Sequence, residues 1–146
     1  MIEIYRKRRR KDKIEGYVDG KRFLTRKKKL CGYLEENIAK SKDGYPLLVL
    51  HPDGKITNNK DFDYRERGYI KEGRIYSLDN TPIFSLLKDN REIHAHLNEE
   101  IYYLRGDNID KLNDSDFFGI VAIFFDLFAR GIADDDDDDD DFDDDD

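Results

Sequence analysis

The sequence predicts a mainly β protein: a closed or nearly closed antiparallel barrel of about twelve short strands in hairpin repeats, with one hydrophobic C-terminal helix plugging it or packing on it. Three observations predict this fold. Short segments rich in Tyr, Ile, Val and Phe return along the chain, separated by turn residues such as Asp-Gly. They recur about every 15–21 residues, a spacing typical of repeat architectures. One long apolar segment late in the sequence breaks the pattern.

The predicted strands follow one another as hairpins. Residues 2–5 form the first strand, and the later pairs are joined by turns that tolerate positive φ angles, such as Asp19-Gly20. The predicted pairs are residues 14–18 with 22–24, 30–34 with 38–39, 47–50 with 55–57, 68–70 with 74–76, and 83–87 with 92–97, followed by 101–104. Twelve short strands would leave costly edges unless the sheet closed, which favours a barrel over the alternative, a two-sheet sandwich.

The late apolar segment is predicted to be a helix over residues 115–132, with N-cap candidates at 114–116. It has almost no polar face and must therefore be buried on every side. A twelve-stranded barrel is too wide for its own side chains to fill, and this helix would fill it. The alternative is a membrane anchor, for which the segment is marginally long. Six of its apolar residues are assigned this structural role: Phe117, Phe118, Val121, Phe124, Phe125 and Phe128.

The net charge of −8 averages unlike parts of the chain. Residues 134–146 contain 12 aspartates and are predicted to be a disordered tail, because like charges repel and cannot form a core. Residues 1–133 are predicted to form a single domain. The lone Cys31 excludes an intramolecular disulfide and a zinc site made of four cysteines. With no apolar signal-peptide core at the N-terminus, the expected location is the cytoplasm, with membrane association left open.

A basic run near the N-terminus is the main candidate site. Residues 1–29 carry 13 Lys and Arg against four acidic residues. Such a run can contact the phosphates of an anionic lipid or of a nucleic acid, or it can be a solvated loop without a partner. Lys27, Lys28 and Lys29 could join it in one basic edge. The candidate anion-contact residues are Arg6, Lys7, Arg8, Arg9, Arg10, Lys11 and Lys13.

The acidic tail has two interpretations. It can fold back onto the basic segment and screen it from other polyanions, since the two blocks have opposite charge. It can instead serve only to keep the protein soluble despite its hydrophobic helix.

Other candidate sites are weaker. His94 and His96 would share a strand face, opposite Ile93, Ala95 and Leu97, and with His51 could ligate a metal, although an outward polar face is the simpler interpretation. Tyrosines recur at related hairpin positions, which indicates core or barrel-rim packing or, alternatively, a ligand-lining ring. No nucleophile elbow, P-loop or dinucleotide glycine motif is present, so no enzyme activity, catalytic residue, metal or cofactor is predicted. The recurring tyrosines are Tyr17, Tyr33, Tyr69 and Tyr103.

One hairpin carries a family resemblance. Residues 68–83 read GYIKEGRIYSLDNTPI and resemble the repeat of bacterial β-flower proteins: Gly-x-Ile, two polar residues, Gly-x-Ile-Tyr-Asp, a turn, then Pro-Ile or Pro-Val. Ser77 stands where Asp is usual and Asn80 where Gly is usual. The match is good over residues 68–87 and looser over 14–58 and 83–107. The resemblance implies a shallow symmetric barrel, related in architecture to the Tubby-like and scramblase-like barrels, of which the latter thread a hydrophobic helix through twelve strands.

These observations predict a non-enzymatic β-repeat module for binding or scaffolding, acting at anionic membrane surfaces through the basic run. The comparison with the Tubby-like and scramblase-like barrels implies a lipid-related role. This inference rests on similarity of fold alone. The alternative is a nucleic-acid-associated accessory protein regulated by its acidic tail.

Overall fold

The computed structural model describes residues 1–7, 12–125 and 127–129. Its twelve strands contain four to seven residues each. Their bounds are β1 (Ile2–Arg6), β2 (Lys13–Asp19), β3 (Arg22–Thr25), β4 (Leu30–Glu35), β5 (Ile38–Ser41), β6 (Pro46–Leu50), β7 (Lys55–Asn58), β8 (Glu66–Lys71), β9 (Arg74–Ser77), β10 (Pro82–Leu87), β11 (Glu92–Ala95) and β12 (Glu100–Gly106). Every strand predicted from turn chemistry and apolar alternation is present.

The strands form one closed antiparallel barrel, which confirms the predicted fold class and shows that the sandwich alternative is wrong. Each strand pairs with the next along the chain, and β1 closes the ring against β12 with Ile4 opposite Leu104. The sixth hairpin is therefore assembled from the two ends of the barrel sequence. Closure pairs both sides of every strand and removes the exposed edges that an open sheet would leave.

The hairpins repeat in their packing as well as in their sequence. Each even-numbered strand directs two residues inward, for example Gly68 and Ile70 on β8. At the second inward position, the amide donates a hydrogen bond of 2.8 Å to a turn carbonyl of the preceding hairpin. This bond recurs five times: Leu34 to Lys21, Leu50 to Asn37, Ile70 to Gly54, Leu86 to Gly73 and Leu104 to Arg91. The irregular sequence period thus encodes a packing contact that recurs between successive hairpins.

The helix α1 (Asp114–Phe124) begins one residue before its predicted start. Its N-cap is Asn113 rather than a residue of the predicted cap 114–116, and Asn113 forms a reciprocal capping box with Asp116. Lys21, in the β2–β3 turn, donates to Asp116 at 2.9 Å. Ser115 donates to Asn37 in the β4–β5 turn at 2.6 Å. These contacts fix the start of α1 at one end of the barrel.

The body of α1 fills the barrel interior. Its six consecutive residues 117–122 are fully buried, and six residues cover every face of a helix. The predicted core positions Phe117, Phe118 and Val121 are among them. Glycines on the wall make room for the end of the helix: a Cβ at Gly16 would lie 2.5 Å from the Phe124 ring, and one at Gly32 would lie 2.7 Å from Ile123.

The predicted helical span 115–132 is too long. The α-helix ends at Phe124, Leu127–Ala129 forms a separate 3-10 turn, and residues 130–132 lie outside the described part of the chain. An 11-residue helix is about 16 Å long, which matches strands of four to seven residues, so barrel depth limits its length. Beyond α1, Phe125 stacks on Tyr102 at 4.1 Å. Phe128 adopts a left-handed backbone with φ of 64°, which no helix can continue.

Within the described residues, no helix is both long enough and apolar enough to cross a bilayer.

Candidate functional site

The two ends of the barrel are chemically different. In an up-and-down barrel, successive connections alternate between the two ends. The turn end carries the tight turns inside each hairpin, such as Asp19-Gly20, together with the start of α1. The loop end carries the six connections between hairpins: residues 7–12, 26–29, 42–45, 59–65, 78–81 and 96–99. The candidate functional residues gather at the loop end.

Two neighbouring connections at the loop end are basic. The β1–β2 connection includes the predicted contact residue Lys7, and Lys13 follows it as the first residue of β2. The β3–β4 turn consists of residues 26–29, all exposed. The two connections adjoin around the ring because only β2 and β3 separate them. We call Arg6, Lys7, Lys13 and residues 26–29 the basic edge. Arg8, Arg9, Arg10 and Lys11 lie in the same connection but outside the described residues.

The described residues of the predicted basic run differ in their burial and in their contacts with neighbouring side chains. Arg6 is half-buried, with its Nε 3.1 Å from a Glu15 carboxylate oxygen and its guanidinium 5.7 Å from the Tyr102 ring centroid. Lys7 lies over the Tyr103 ring at 5.4 Å, and hydrogen bonding to Tyr103 raises the pKa of Lys7. Arg6 is therefore a structural residue of the wall, whereas Lys7 and Lys13 present their charge to solvent.

The β3–β4 turn is held in its conformation by hydrogen bonds between its backbone amides and Thr25. The Thr25 hydroxyl accepts from the amides of Lys27 (3.2 Å) and Lys29 (3.1 Å), and the Lys28 amide donates to the Thr25 carbonyl at 2.7 Å. Lys28 has a φ of 64° and places its ammonium 5.2 Å from the Tyr17 ring centroid. This geometry holds the lysines outward without any partner molecule.

A cleft of about 330 Å³ lies between the two basic connections. Arg6, Lys13 and Arg26 stand around it, with Glu15 as its one acidic group and Phe124 of the helix at its apolar side. Cys31 also lines the cleft, and burial raises the pKa of its thiol to about 11. The thiol is therefore protonated near neutral pH, and the cleft is suited to an anion rather than to thiolate chemistry.

Each of the other four connections exposes at least one large apolar side chain, and we single out the most exposed one of each. Their relative exposures are 47% for Tyr45, 60% for Phe62, 62% for Leu78 and 77% for Leu97. We call these four residues the apolar tips. Among described residues, the remaining exposed large apolar side chains are Met1, at the turn end, and Tyr64, which shares the β7–β8 connection with Phe62 and lies edge-on to the His51 ring at 6.1 Å. The loop end thus combines two basic connections with four polar connections that carry exposed apolar side chains.

Hydrogen bonds within the loops position the apolar tips. In the β7–β8 connection, buried Asn59 donates to the Pro46 carbonyl at 2.6 Å, which fixes the loop next to Phe62. In the β9–β10 connection, the Asp79 carboxylate accepts from the Ser77 hydroxyl and, at 3.3 Å, from the Thr81 amide. These bonds lower the pKa of Asp79. The exposed side chains are therefore presented by ordered turns.

An apolar cavity of about 380 Å³ opens between two of the apolar connections. The end of the helical segment, Phe125 and Phe128, forms part of its wall together with Phe84 and Leu97. The Phe125 ring stacks on Phe84 at 6.0 Å. The cavity extends the apolar character of the loop end into the barrel.

The histidine prediction is only partly correct. Ile93 and Ala95 face the core, but β11 ends at Ala95, so the expected inward position of Leu97 is wrong. His94 bonds to Glu92 at 2.9 Å and His96 to Ser85 at 2.7 Å. Within the described part of the chain, no group of three or more His, Cys, Asp and Glu residues is placed to hold a metal.

The recurring tyrosines lie on the outer wall, since they alternate with the inward residues of their strands. Tyr17 and Tyr103 lie beneath Lys28 and Lys7, and Tyr69 stacks on Tyr76 at 4.8 Å. They do not line the barrel interior.

The sequence interpretation missed the apolar tips. A signal was present: Tyr45, Phe62, Leu78 and Leu97 stand inside segments rich in Asn, Asp, Lys and Glu, where large apolar residues have no core to enter. The sequence predicts that the two basic segments could form one edge only because they lie near each other along the chain. The pairing of β1, β2, β3 and β4 as neighbouring strands brings them together in space.

No protein-family model, curated protein or solved structure matches this chain. The resemblance of residues 68–83 to β-flower repeats therefore has no independent support from relatives. The architecture that the resemblance implies is present, since the chain forms a closed barrel of twelve antiparallel strands arranged as hairpins.

Proposed function

We propose that this chain is a non-enzymatic module that binds anionic membrane surfaces through its loop end. The observation that carries the proposal is the position of the basic edge and of all four apolar tips at the same end of the barrel. A lipid surface offers phosphates with hydrocarbon beneath them, and this end offers cations beside exposed apolar side chains. The cytoplasmic leaflet is the anionic surface in cells.

The basic edge and the apolar tips act at different distances from the membrane. Each lysine or arginine near an anionic leaflet contributes about 1 kcal/mol, and this attraction decays over a Debye length of about 8 Å. The lysines of residues 26–29 attract the barrel and orient its loop end toward the leaflet. At contact, Phe62, Leu78 and Leu97 leave water for the acyl boundary, a contribution that salt does not screen. The cleft beside Arg26 is large enough for a lipid phosphate.

The β-flower resemblance supports a lipid-related role of this kind, and we propose kinship with those proteins on the match of residues 68–83. The barrel would be a rigid platform, with α1 filling the space that a ligand occupies in hollow barrels. Binding would then occur on the loop end and not in the lumen.

A nucleic-acid-binding function uses the same basic edge. Phe62 and Tyr45 are exposed aromatic side chains on which bases could stack beside a cationic surface. Leu78 and Leu97 favour the membrane, because aliphatic tips offer a base neither stacking nor hydrogen bonds.

Vesicle co-sedimentation beside a gel-shift assay separates the two functions. We expect the protein to sediment with phosphatidylcholine vesicles containing about one-third phosphatidylserine, and not with pure phosphatidylcholine, at about 50 mM salt. Binding should weaken but persist at about 200 mM salt, because the apolar tips are not screened. The assay includes a full-length variant with the aspartates of residues 134–146 changed to serine. The proposal would be overturned if neither the unmodified protein nor the serine variant bound the anionic vesicles. It would also be overturned if both bound a DNA duplex more tightly than they bound the vesicles.

A further inference from the structure

The basic cleft and the apolar cavity at the loop end meet on two consecutive residues of the helical segment. Phe124 lines the cleft and Phe125 lines the cavity, and their ring centroids lie 6.3 Å apart. Tyr102 links the two sites from the barrel wall, since its ring stacks on Phe125 at 4.1 Å and lies 5.7 Å from the Arg6 guanidinium. A continuous aromatic surface therefore connects a cationic site to an apolar one.

The cleft has more cationic donors than its own residues use. Lys13, Arg26 and Arg6 line it, and Glu15 is the one acidic residue among its lining. The Arg6 Nε lies 3.1 Å from a Glu15 carboxylate oxygen, yet this buried atom has no partner in hydrogen-bond geometry among the described residues. A guanidinium has five N–H donors and an ammonium three, which exceeds what one carboxylate accepts. A phosphate offers acceptors on several sides and pairs well with arginine, so it suits this cleft.

The cavity has the shape and lining of a site for a hydrocarbon chain. Phe84 and Ala95 line it, and Leu97, which is 77% exposed, stands at its mouth. Its volume of about 380 Å³ falls within the range of ligand pockets. If a methylene takes about the 30 Å³ of a water molecule in the liquid, the cavity holds roughly twelve. Its polar lining residues are Ser77 and Asn98.

We propose that the loop end holds one anionic phospholipid molecule, with its phosphate in the basic cleft and one acyl chain in the apolar cavity. The inference rests on the proposed function, because it names the lipid groups that the loop end engages. The path from Arg6 over Tyr102 and Phe125 to Phe84 consists of contacts of 5.7, 4.1 and 6.0 Å. An acyl chain extends about 15 Å, half the thickness of a hydrocarbon core. One lipid therefore spans both sites and is selected by its headgroup and its chain together.

Isothermal titration calorimetry with dodecyl phosphate, at concentrations where it is monomeric, tests the inference without a membrane. We expect one molecule to bind per chain. Butyl phosphate should bind at least about 100-fold more weakly, because each buried methylene raises affinity about fourfold. Dodecylphosphocholine has the same chain but a neutral headgroup, and it should bind at least about tenfold more weakly. Equal affinity for the two alkyl phosphates, or for the two dodecyl compounds, would overturn the inference.

Two variants locate the ends of the lipid. Ala95→Leu adds apolar volume to the cavity wall and should weaken dodecyl phosphate binding about tenfold. Lys13→Gln with Arg26→Gln should weaken it about 30-fold, since each charge contributes about fivefold. The matched control, Lys71→Gln with Arg74→Gln at the turn end, should leave it unchanged. Unaltered binding by a folded Ala95→Leu variant would overturn the inference. If that variant does not fold, the comparison of butyl with dodecyl phosphate decides.

The vesicle assay separates failure of this inference from failure of the proposed function. If the unmodified protein sediments with phosphatidylserine vesicles but does not bind dodecyl phosphate, the inference is wrong and membrane binding stands. If it binds one dodecyl phosphate per chain but no vesicle, the lipid site stands and the membrane function is wrong.

Discussion

Changing the three lysines of the β3–β4 turn to neutral residues should weaken binding to phosphatidylserine vesicles about 100-fold at low salt. The variant carries Lys27→Gln, Lys28→Asn and Lys29→Gln, with asparagine chosen because residue 28 has a positive φ. Three charges at about 1 kcal/mol each account for this loss. The Thr25 hydroxyl still accepts from the backbone amides of the turn, so the fold should be retained.

The matched control removes the same charge from the opposite end. Lys71, Arg74 and Lys88 are exposed at the turn end, and changing all three to glutamine alters the net charge equally. This variant should bind within about threefold of the unmodified protein, because its cations lie further from the leaflet than a Debye length. Equal losses in the two variants would mean that net charge, and not the basic edge, governs binding.

Truncating the buried helix should have the largest effect on stability. Phe118 has no exposed surface and lies midway along α1, so Phe118→Ala should lower the free energy of unfolding by about 3–5 kcal/mol. Urea denaturation followed by circular dichroism measures this change. Phe62→Ala is the matched control, since it removes the same ring from an exposed tip and should change stability by less than about 0.5 kcal/mol.

The two phenylalanine variants should also separate stability from binding. Phe62→Ala should bind anionic vesicles more weakly although its stability is unchanged, because it loses an apolar tip. If Phe118→Ala unfolds at the same urea concentration as the unmodified protein, α1 does not fill the barrel and the fold account is wrong.

The strands could be predicted because their signals are local. Asp19-Gly20 and Glu72-Gly73 mark turns through their own backbone preferences, and the alternation of Ile93 with His94 places a strand without reference to the rest of the chain. Closure could be argued because twelve short strands leave edges. These are properties of residues and their near neighbours.

The errors arise where tertiary structure decides. The helix ends at Phe124 and not at residue 132 because the barrel is only as deep as its strands, which no periodicity within the helix reveals. Leu97 is exposed because β11 stops at Ala95 and the chain must turn toward β12. The apolar tips form one candidate surface only because the up-and-down strand order places their four connections at the same end of the barrel.

The orientation of the barrel on the membrane is the central claim, and one fluorescence measurement tests it. The chain contains no tryptophan, so Phe62→Trp at the loop end and Asn90→Trp at the turn end each introduce a single reporter. On phosphatidylserine vesicles with brominated acyl chains, Trp emission at position 62 should shift to shorter wavelength and be quenched. Emission at position 90 should stay unchanged. Quenching at position 90 that equals or exceeds that at position 62 would contradict binding through the loop end.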